Sequence, residues 1–178
     1  LDIASAEFAT GHIPANRLKS VTEMSKQAIH TLRETVWALN HESISVEAFS
    51  DKFKSYALKM SEYAENIRIE FREDIQVNHI LTPDLALHLF RICQEAFGNA
   101  MKHAAATRLY VEIMSGAGVF FKFRLTDNGI GFDEQAADLK GHYGLQNMRV
   151  RAREIHASFQ LTSERGKGTV IEIELKEQ

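Results

Sequence analysis

The sequence predicts an α/β sandwich of two layers, a mixed sheet covered by helices on one face, with an additional helix at the N-terminal end. Three observations favour this fold class. A long amphipathic helical pattern begins at Thr82. A pair of alternating strand patterns around a glycine-containing turn follows it, and a further helix and two strands close the chain.

The first forty of the 178 residues predict a separate helical unit. From Arg17 to Asn40 apolar residues recur at intervals of three and four, which is typical of a coiled coil or helical bundle. Residues 40–45 are polar enough to form a linker. We therefore predict two domains, residues 1–42 and residues 46–178. The first residues, Leu1 to Ala4, lack a starting Met and indicate a cut from a longer protein.

The predicted elements of the second unit follow from its periodicity and its turn residues. Pro83, directly after Thr82, favours a helix start because proline suits the first turn. In chain order we predict a helix from Val46 to Ala64, a strand through Ile67, Ile69 and Phe71, the helix after Thr82, strands from Arg108 to Met114 and from Val119 to Asp127, a helix from Gly144 to about Ala157, and strands near Phe159 to Ser163 and Val170 to Leu175.

The helix after Thr82 carries polar side chains on an otherwise apolar pattern. Glu95, Asn99 and His103 recur every four residues, and Lys102 lies one turn beyond Asn99. We expect these four side chains to project the same way. On its own, such a stripe is equally typical of a solvated charged face.

Six of the ten glycines lie in three short segments behind this helix. The segments are DNGIGF at 127–132, GHYGL at 141–145 and GKGT at 166–169. Glycine serves where the backbone needs positive φ or must approach a ligand closely, although any one pair can be a plain turn. Their order behind the polar helix favours a binding site.

This order of motifs resembles the Bergerat-type ATP-binding domain of sensor histidine kinases over residues 80–176. The segments RICQEA at 91–96, NAMKHA at 99–104 and GLQNMRVRA at 144–152 are most similar to the subfamily of nitrate sensors and desaturase regulators. The resemblance implies ATP and Mg²⁺ as cofactors, with Asn99 as the metal ligand. A neutral amide oxygen suits Mg²⁺, which takes hard oxygen ligands and keeps several waters.

The resemblance also implies the roles of the other site residues. Glu95, Asn99 and Lys102 would be catalytic, with Glu95 accepting a proton or orienting the attacking group. Asp127 would accept from the exocyclic amine of adenine, and guanine would leave this carboxylate unpaired. Residues 132–143 would form a lid. The remaining nucleotide contacts are assigned to Lys102, His103, Gly129, Gly131, Tyr143, Gly144, Leu145, Gly168 and Thr169.

The implied partners are a response-regulator receiver domain and a second copy of the chain. Residues 1–42 resemble the remnant of a dimerising helical hairpin, mainly its second helix, in a homodimer. His12, His30 and His41 lack the setting of a phosphoacceptor, so we expect ATP binding without autophosphorylation. A cytoplasmic location is implied, whether or not the parent protein is membrane-anchored. An ATP-binding regulatory module and an anti-sigma-type serine kinase on the same fold are the alternatives.

Composition excludes several other classes. The net charge is −3 with dispersed Lys and Arg, which argues against nucleic-acid binding. The single Cys93 permits neither a disulfide within the chain nor a CxxC metal site. No run of about eighteen apolar residues occurs, so we expect no membrane contact. The Walker-type phosphate loop, GxxxxGK followed by Ser or Thr, is also absent.

Overall fold

The computed structural model describes residues 43–62, 66–133 and 143–177. All of them belong to one unit, His41–Gln178. The predicted helix from Arg17 to Asn40 and most of the predicted lid lie outside the described residues, and so do the three histidines considered as phosphoacceptors.

The helices and strands of the described part follow the predicted order. The helices are α1 (Val46–Ser61), α2 (Pro83–His103) and α3 (Tyr143–Glu154). The strands are β1 (Ile44–Ser45), β2 (Arg68–Ile75), β3 (Ile80–Leu81), β4 (Arg108–Gly116), β5 (Val119–Asp127), β6 (Ser158–Glu164) and β7 (Gly168–Lys176).

Five strands form one mixed sheet in the order β2-β4-β5-β7-β6. Strands β2 and β4 are parallel, and the other neighbours are antiparallel. Alternate residues of β4 and β5 are buried, while the intervening positions are partly exposed. On that second face Lys122 pairs with Glu172 at 2.8 Å and with Glu174 at 2.9 Å. A sheet with one apolar and one polar face confirms the predicted two-layer sandwich.

A cluster of phenylalanines joins α1 and α2 to the sheet. Phe53 of α1 meets Phe90 and Phe97 of α2 and Phe123 of β5 edge to face, with ring centroids 6.2, 6.0 and 5.3 Å away. Edge-to-face geometry is the favoured arrangement of aromatic pairs, and each ring buries a large apolar area. The fully buried phenylalanines are Phe49, Phe53, Phe90, Phe97, Phe121 and Phe123.

The start of α2 is formed as the sequence predicts. The Thr82 hydroxyl accepts a hydrogen bond from the Leu85 N–H, and Pro83 occupies the first turn, where its missing N–H costs nothing. Apolar residues from Leu89 to Ala100 then face the core. Cys93 is fully buried among them, as expected for a small apolar residue.

The structure differs from the predictions mainly at short elements and helix ends. Ile44 and Ser45, which we predicted to be linker, form β1 and pair with β3. Two-residue strands carry no measurable periodicity. Glu62 caps α1 before the predicted end at Ala64. Helix α3 ends at Glu154 rather than near Ala157 because the chain reverses at His156, whose φ is 55°.

Replacing Phe53 with Ala should lower the free energy of unfolding by about 3–5 kcal/mol, since it opens a cavity between both helices and the sheet. Urea denaturation followed by circular dichroism measures the loss. Leu58→Ala on the same helix is the matched control. Leu58 is 58% exposed, so its loss should stay within about 0.5 kcal/mol. Equal losses in the two variants would show that this cluster does not hold the layers together.

Candidate functional site

A cavity of about 580 Å³ lies where α2, the end of β5, the start of α3 and the β6–β7 hairpin meet. Most of the site residues that the sequence analysis proposed line this cavity. From α2 come Glu95, Asn99 and His103, and Asp127 and Gly131 lie at and after the end of β5. The remaining nominated residues of the wall are Tyr143, Gly144, Leu145 and Thr169.

Glu95 and Asn99 form a hydrogen-bonded pair on the α2 wall. The Asn99 Nδ2 donates to Glu95 Oε1 at 3.2 Å. An ionised carboxylate only accepts, so it selects the amide NH₂ of Asn99 and leaves Oδ1 as the atom offered elsewhere. The pair therefore presents a neutral oxygen ligand beside an anionic group.

The start of α3 rests directly on this pair. A Cβ added at Gly144 would overlap Oε1 of Glu95, so a larger residue could not keep this contact. The N-terminal turn of a helix carries partial positive charge and unpaired N–H groups, which favour a neighbouring carboxylate or phosphate. Gly144 thus brings an anion-attracting helix end against the Glu95 carboxylate.

Asp127 is the buried charged group of the site, with 5% of its surface exposed. Burial raises the pKa of its carboxyl, and hydrogen bonds from Gly129 and Thr169 oppose that rise. The Gly129 N–H donates to Oδ1 at 2.8 Å. These bonds hold the carboxylate at the cavity wall, where it can accept from a ligand N–H.

The loop after β5 is tied by backbone bonds to its neighbours. The Ile130 N–H donates to the Ala104 carbonyl at 2.8 Å, and the Gly166 N–H donates to the Ile130 carbonyl at 2.6 Å. Between them Gly131 has a φ of 57°, and a Cβ there would overlap the Glu164 carbonyl. Only glycine meets both conditions without strain. The loop and the β6–β7 turn therefore form one fixed wall.

Three nominated residues do not line the cavity. Gly129 packs against the Ala104 carbonyl and Gly168 against that of Asp127, so both lie behind the wall. Lys102 is exposed. A helix turns about 100° per residue, so Asn99 and His103 lie roughly 40° and 80° around the helix axis from Glu95. Lys102 lies roughly 20° from Glu95 in the opposite direction, away from Asn99 and His103. Ligand contacts of these three residues, and of the nine nominated residues that line the cavity, stay predictions.

The sequence did not reveal the apolar part of the wall. Its side chains come from several elements, and only the alternation of the strands indicated which of them point inward. Arg165 was also missed, although it directly precedes the third glycine segment. The wall residues that the sequence analysis did not propose are Ala96, Ala100, Ala104, Leu125, Ile130, Phe132, Asp133, Leu161, Arg165 and Ile171.

A family model described as histidine kinase-, DNA gyrase B- and HSP90-like ATPase matches residues 84–178. This range begins at the start of α2 and contains every nominated site residue.

Among residues 43–62, 66–133 and 143–177, no helix has the length and apolar character needed to cross a membrane.

The sensor protein VraS is a similar curated protein. The chain is 43% identical to VraS of Staphylococcus haemolyticus and of Staphylococcus aureus over 86 residues, and 42% identical to VraS of Staphylococcus epidermidis. The match covers 48% of this chain and 24% of each of those proteins. The chain therefore corresponds to a minor part of these relatives.

Solved structures of a blue-light activated histidine kinase from Erythrobacter litoralis share the fold. Its histidine kinase domain superposes with a TM-score of 0.60 at 18% identity, covering 90% of this chain and 84% of that one. The longer form gives a TM-score of 0.67 at 19% identity, covering 92% of this chain and 51% of that one. The predicted histidine-kinase ATPase fold is confirmed.

Replacing Asp127 with Asn should leave the ligand-free protein at least as stable at neutral pH. Because burial raises the pKa of Asp127, its ionised form costs folding free energy above that pKa, and the cost disappears as pH falls through it. An amide oxygen can still accept from Gly129 and Thr169. The gain should therefore shrink on acidification, as measured by urea denaturation at neutral and mildly acidic pH.

The exposed Asp51 provides the control for this comparison. Asp51→Asn should show no comparable pH-dependent gain. If Asp127→Asn is instead destabilised most at neutral pH, the carboxylate contributes more through its hydrogen bonds than burial costs it.

Proposed function

Because the chain belongs to the family of histidine kinase-, DNA gyrase B- and HSP90-like ATPases, we propose that it is the ATP-binding catalytic part of a sensor histidine kinase. The observation that carries this proposal is the position of Asp127 and Asn99 on one cavity, a buried anionic acceptor and a neutral oxygen ligand. ATP as the ligand follows from the family. The histidine as phosphoryl acceptor rests on the similarity to sensor proteins.

Asp127 would select the base. Its carboxylate can accept from the exocyclic amine of adenine, whereas guanine offers a carbonyl at that position. The carboxylate is 5% exposed, so opposite another acceptor its ligand-facing lone pairs would lack a donor despite the bonds from Gly129 and Thr169, which costs several kcal/mol. Thr169, hydrogen-bonded to Asp127, would complete this end of the site.

The Asn99–Glu95 pair would serve the phosphate end. The Oδ1 of Asn99 fits a magnesium ligand, since Mg²⁺ takes a few protein oxygens and the rest from phosphates and water. Mg²⁺ when bound neutralises charge on the phosphates. His103 and the N-terminal turn of α3 are placed to meet phosphate oxygens. Lys102, exposed on α2, would approach only the outer phosphates.

In the proposed reaction the bond between the γ-phosphorus and its bridging oxygen breaks, ADP leaves and a phosphorus–nitrogen bond forms on the acceptor histidine. Glu95 would accept the imidazole proton or orient the ring. Asn99 donates a hydrogen bond to this carboxylate, and the start of α3 at Gly144 lies against it. Catalysis would then rest on positioning and charge stabilisation.

We further propose the setting of the intact protein. Residues 1–42 would be the remnant of the dimerising hairpin and residues 46–178 the catalytic domain. The parent kinase would be a homodimer of the nitrate-sensor and desaturase-regulator type. It would work in the cytoplasm, where ATP is available, and pass the phosphoryl group to a receiver-domain aspartate. The segments at 91–96, 99–104 and 144–152 support this subfamily.

Asn99→Ala should weaken binding of Mg-ATP at least about tenfold, or roughly 1.4 kcal/mol, because it removes the metal-ligand oxygen. Binding of ATP in the presence of a chelator should change much less. Titration calorimetry with and without magnesium measures both effects. Asn147→Ala on α3, an exposed amide outside the cavity wall, is the matched control. Unchanged affinity for Mg-ATP would remove Asn99 from the metal site.

Phosphotransfer distinguishes a histidine kinase from the alternatives. The chain is incubated with γ-labelled ATP, magnesium and a separately supplied acceptor-helix domain of a related kinase. Label on the acceptor that survives base and is lost in acid indicates phosphohistidine. Glu95→Gln should reduce the rate by about two orders of magnitude or more, the usual contribution of a general base. Label stable to acid would indicate a serine kinase instead.

A further inference from the structure

We propose that Arg165 positions the nucleobase, with its guanidinium lying flat against the adenine ring. This inference rests on the proposed function, because it assigns a further residue to the same cavity. Arg165 lies on the β6–β7 turn and forms part of the cavity wall. It is the only Arg or Lys among the wall residues that the structure describes.

The Arg165 guanidinium has no hydrogen bond or ion pair with any residue in the described part of the chain. The nearest acid in sequence, Glu164, pairs with Lys167 at 2.8 Å on the outside of the turn. A permanently charged side chain on a concave wall, with its neighbouring acid already paired, is available to a ligand.

The backbone of the turn is held in place, while the Arg165 side chain has no polar partner among the described residues. The Gly166 N–H donates to the Ile130 carbonyl at 2.6 Å, and the Lys167 N–H donates to the Glu164 carbonyl at 2.9 Å. The first bond ties the turn to the loop after β5 through Gly166, and the second closes the turn around Arg165. Arg165 needs only side-chain ordering to meet a ligand, which lowers the entropic cost of binding.

The register of the hairpin places Arg165 at the base end of the cavity. Ser163 pairs with Thr169 across the hairpin, and Thr169 in turn pairs with Asp127 of β5. Arg165 is two residues beyond Ser163. The proposed metal and phosphate ligands, Asn99 and His103, come from α2 instead.

Guanidinium groups stack on aromatic faces, and adenine offers such a face. The other wall residues near this hairpin, Ile130, Leu161 and Ile171, are apolar and suit the ring as well. Asp127 would recognise the edge of the base, and Arg165 would hold its face. The two contacts are chemically independent, so they can be separated by mutation.

The test compares Arg165→Leu and Arg165→Lys with wild type in the 178-residue chain. Binding of adenosine, AMP, ADP and Mg-ATP is measured by calorimetry. Arg165→Leu should weaken all four by the same factor, about three- to tenfold, as expected for loss of a partly desolvated cation–π contact. Arg165→Lys should lose most of the same factor, because an ammonium group has no flat face.

Lys176→Leu is the matched control, since Lys176 is an exposed cation at the end of β7, is not on the wall and leaves the ion pair between Glu164 and Lys167 intact. Its affinities should stay within about twofold of wild type. A loss in Arg165→Leu that grows with the number of phosphates would show that Arg165 meets phosphate and would overturn the assignment to the base. Unchanged affinities would also overturn it.

The outcome separates this inference from the function on which it rests. If wild type binds Mg-ATP and Arg165→Leu binds it equally well, only the inference fails. If wild type binds none of the four ligands, the proposed function itself fails. Equal thermal unfolding midpoints for wild type and all variants establish that the comparison concerns folded protein.

Discussion

The packing of α2 against the sheet is the constraint on which the site depends. One side of this helix must be apolar enough to enter the phenylalanine cluster, while the adjacent side must offer Glu95 and Asn99 to a cavity. Phe97 lies between these two residues in sequence and is fully buried. A shift of α2 that loosened the core would therefore move the polar pair as well. Stability and ligand geometry are coupled through a single helix.

Asp127 illustrates the free-energy cost of burying a charged group in the cavity wall. A carboxylate at the end of a buried strand loses hydration, and hydrogen bonds from Gly129 and Thr169 only partly compensate, since the net pKa shift is upward. Folding alone gains little from an acid at this position. A ligand N–H can supply a further partner, so in the proposed site the unfavourable burial would become selectivity for the base.

Much of this architecture could be predicted from the sequence because its signals are local. Thr82 and Pro83 predict the start of α2, and the alternation of apolar residues predicts β4 and β5. The four-residue spacing of Glu95, Asn99 and His103 places all three on one wall of the cavity. The omissions have physical causes. Strands β1 and β3 are too short for a period. Arg165 reaches the cavity only because two hairpin strands pair in a particular register, which no local pattern specifies.

The two ends of the cavity are built in different ways. Around Asp127, main-chain bonds join the 129–132 loop to Ala104 and to the β6–β7 turn, and Gly131 permits their close approach. Around Asn99, side chains on α2 meet the first turn of α3. A wall of main-chain bonds restricts its glycines but leaves side chains such as Arg165 free to vary. Single substitutions of such side chains would therefore be tolerated at the proposed base end, whereas a larger residue at Gly144 would displace the Glu95 carboxylate at the proposed phosphate end.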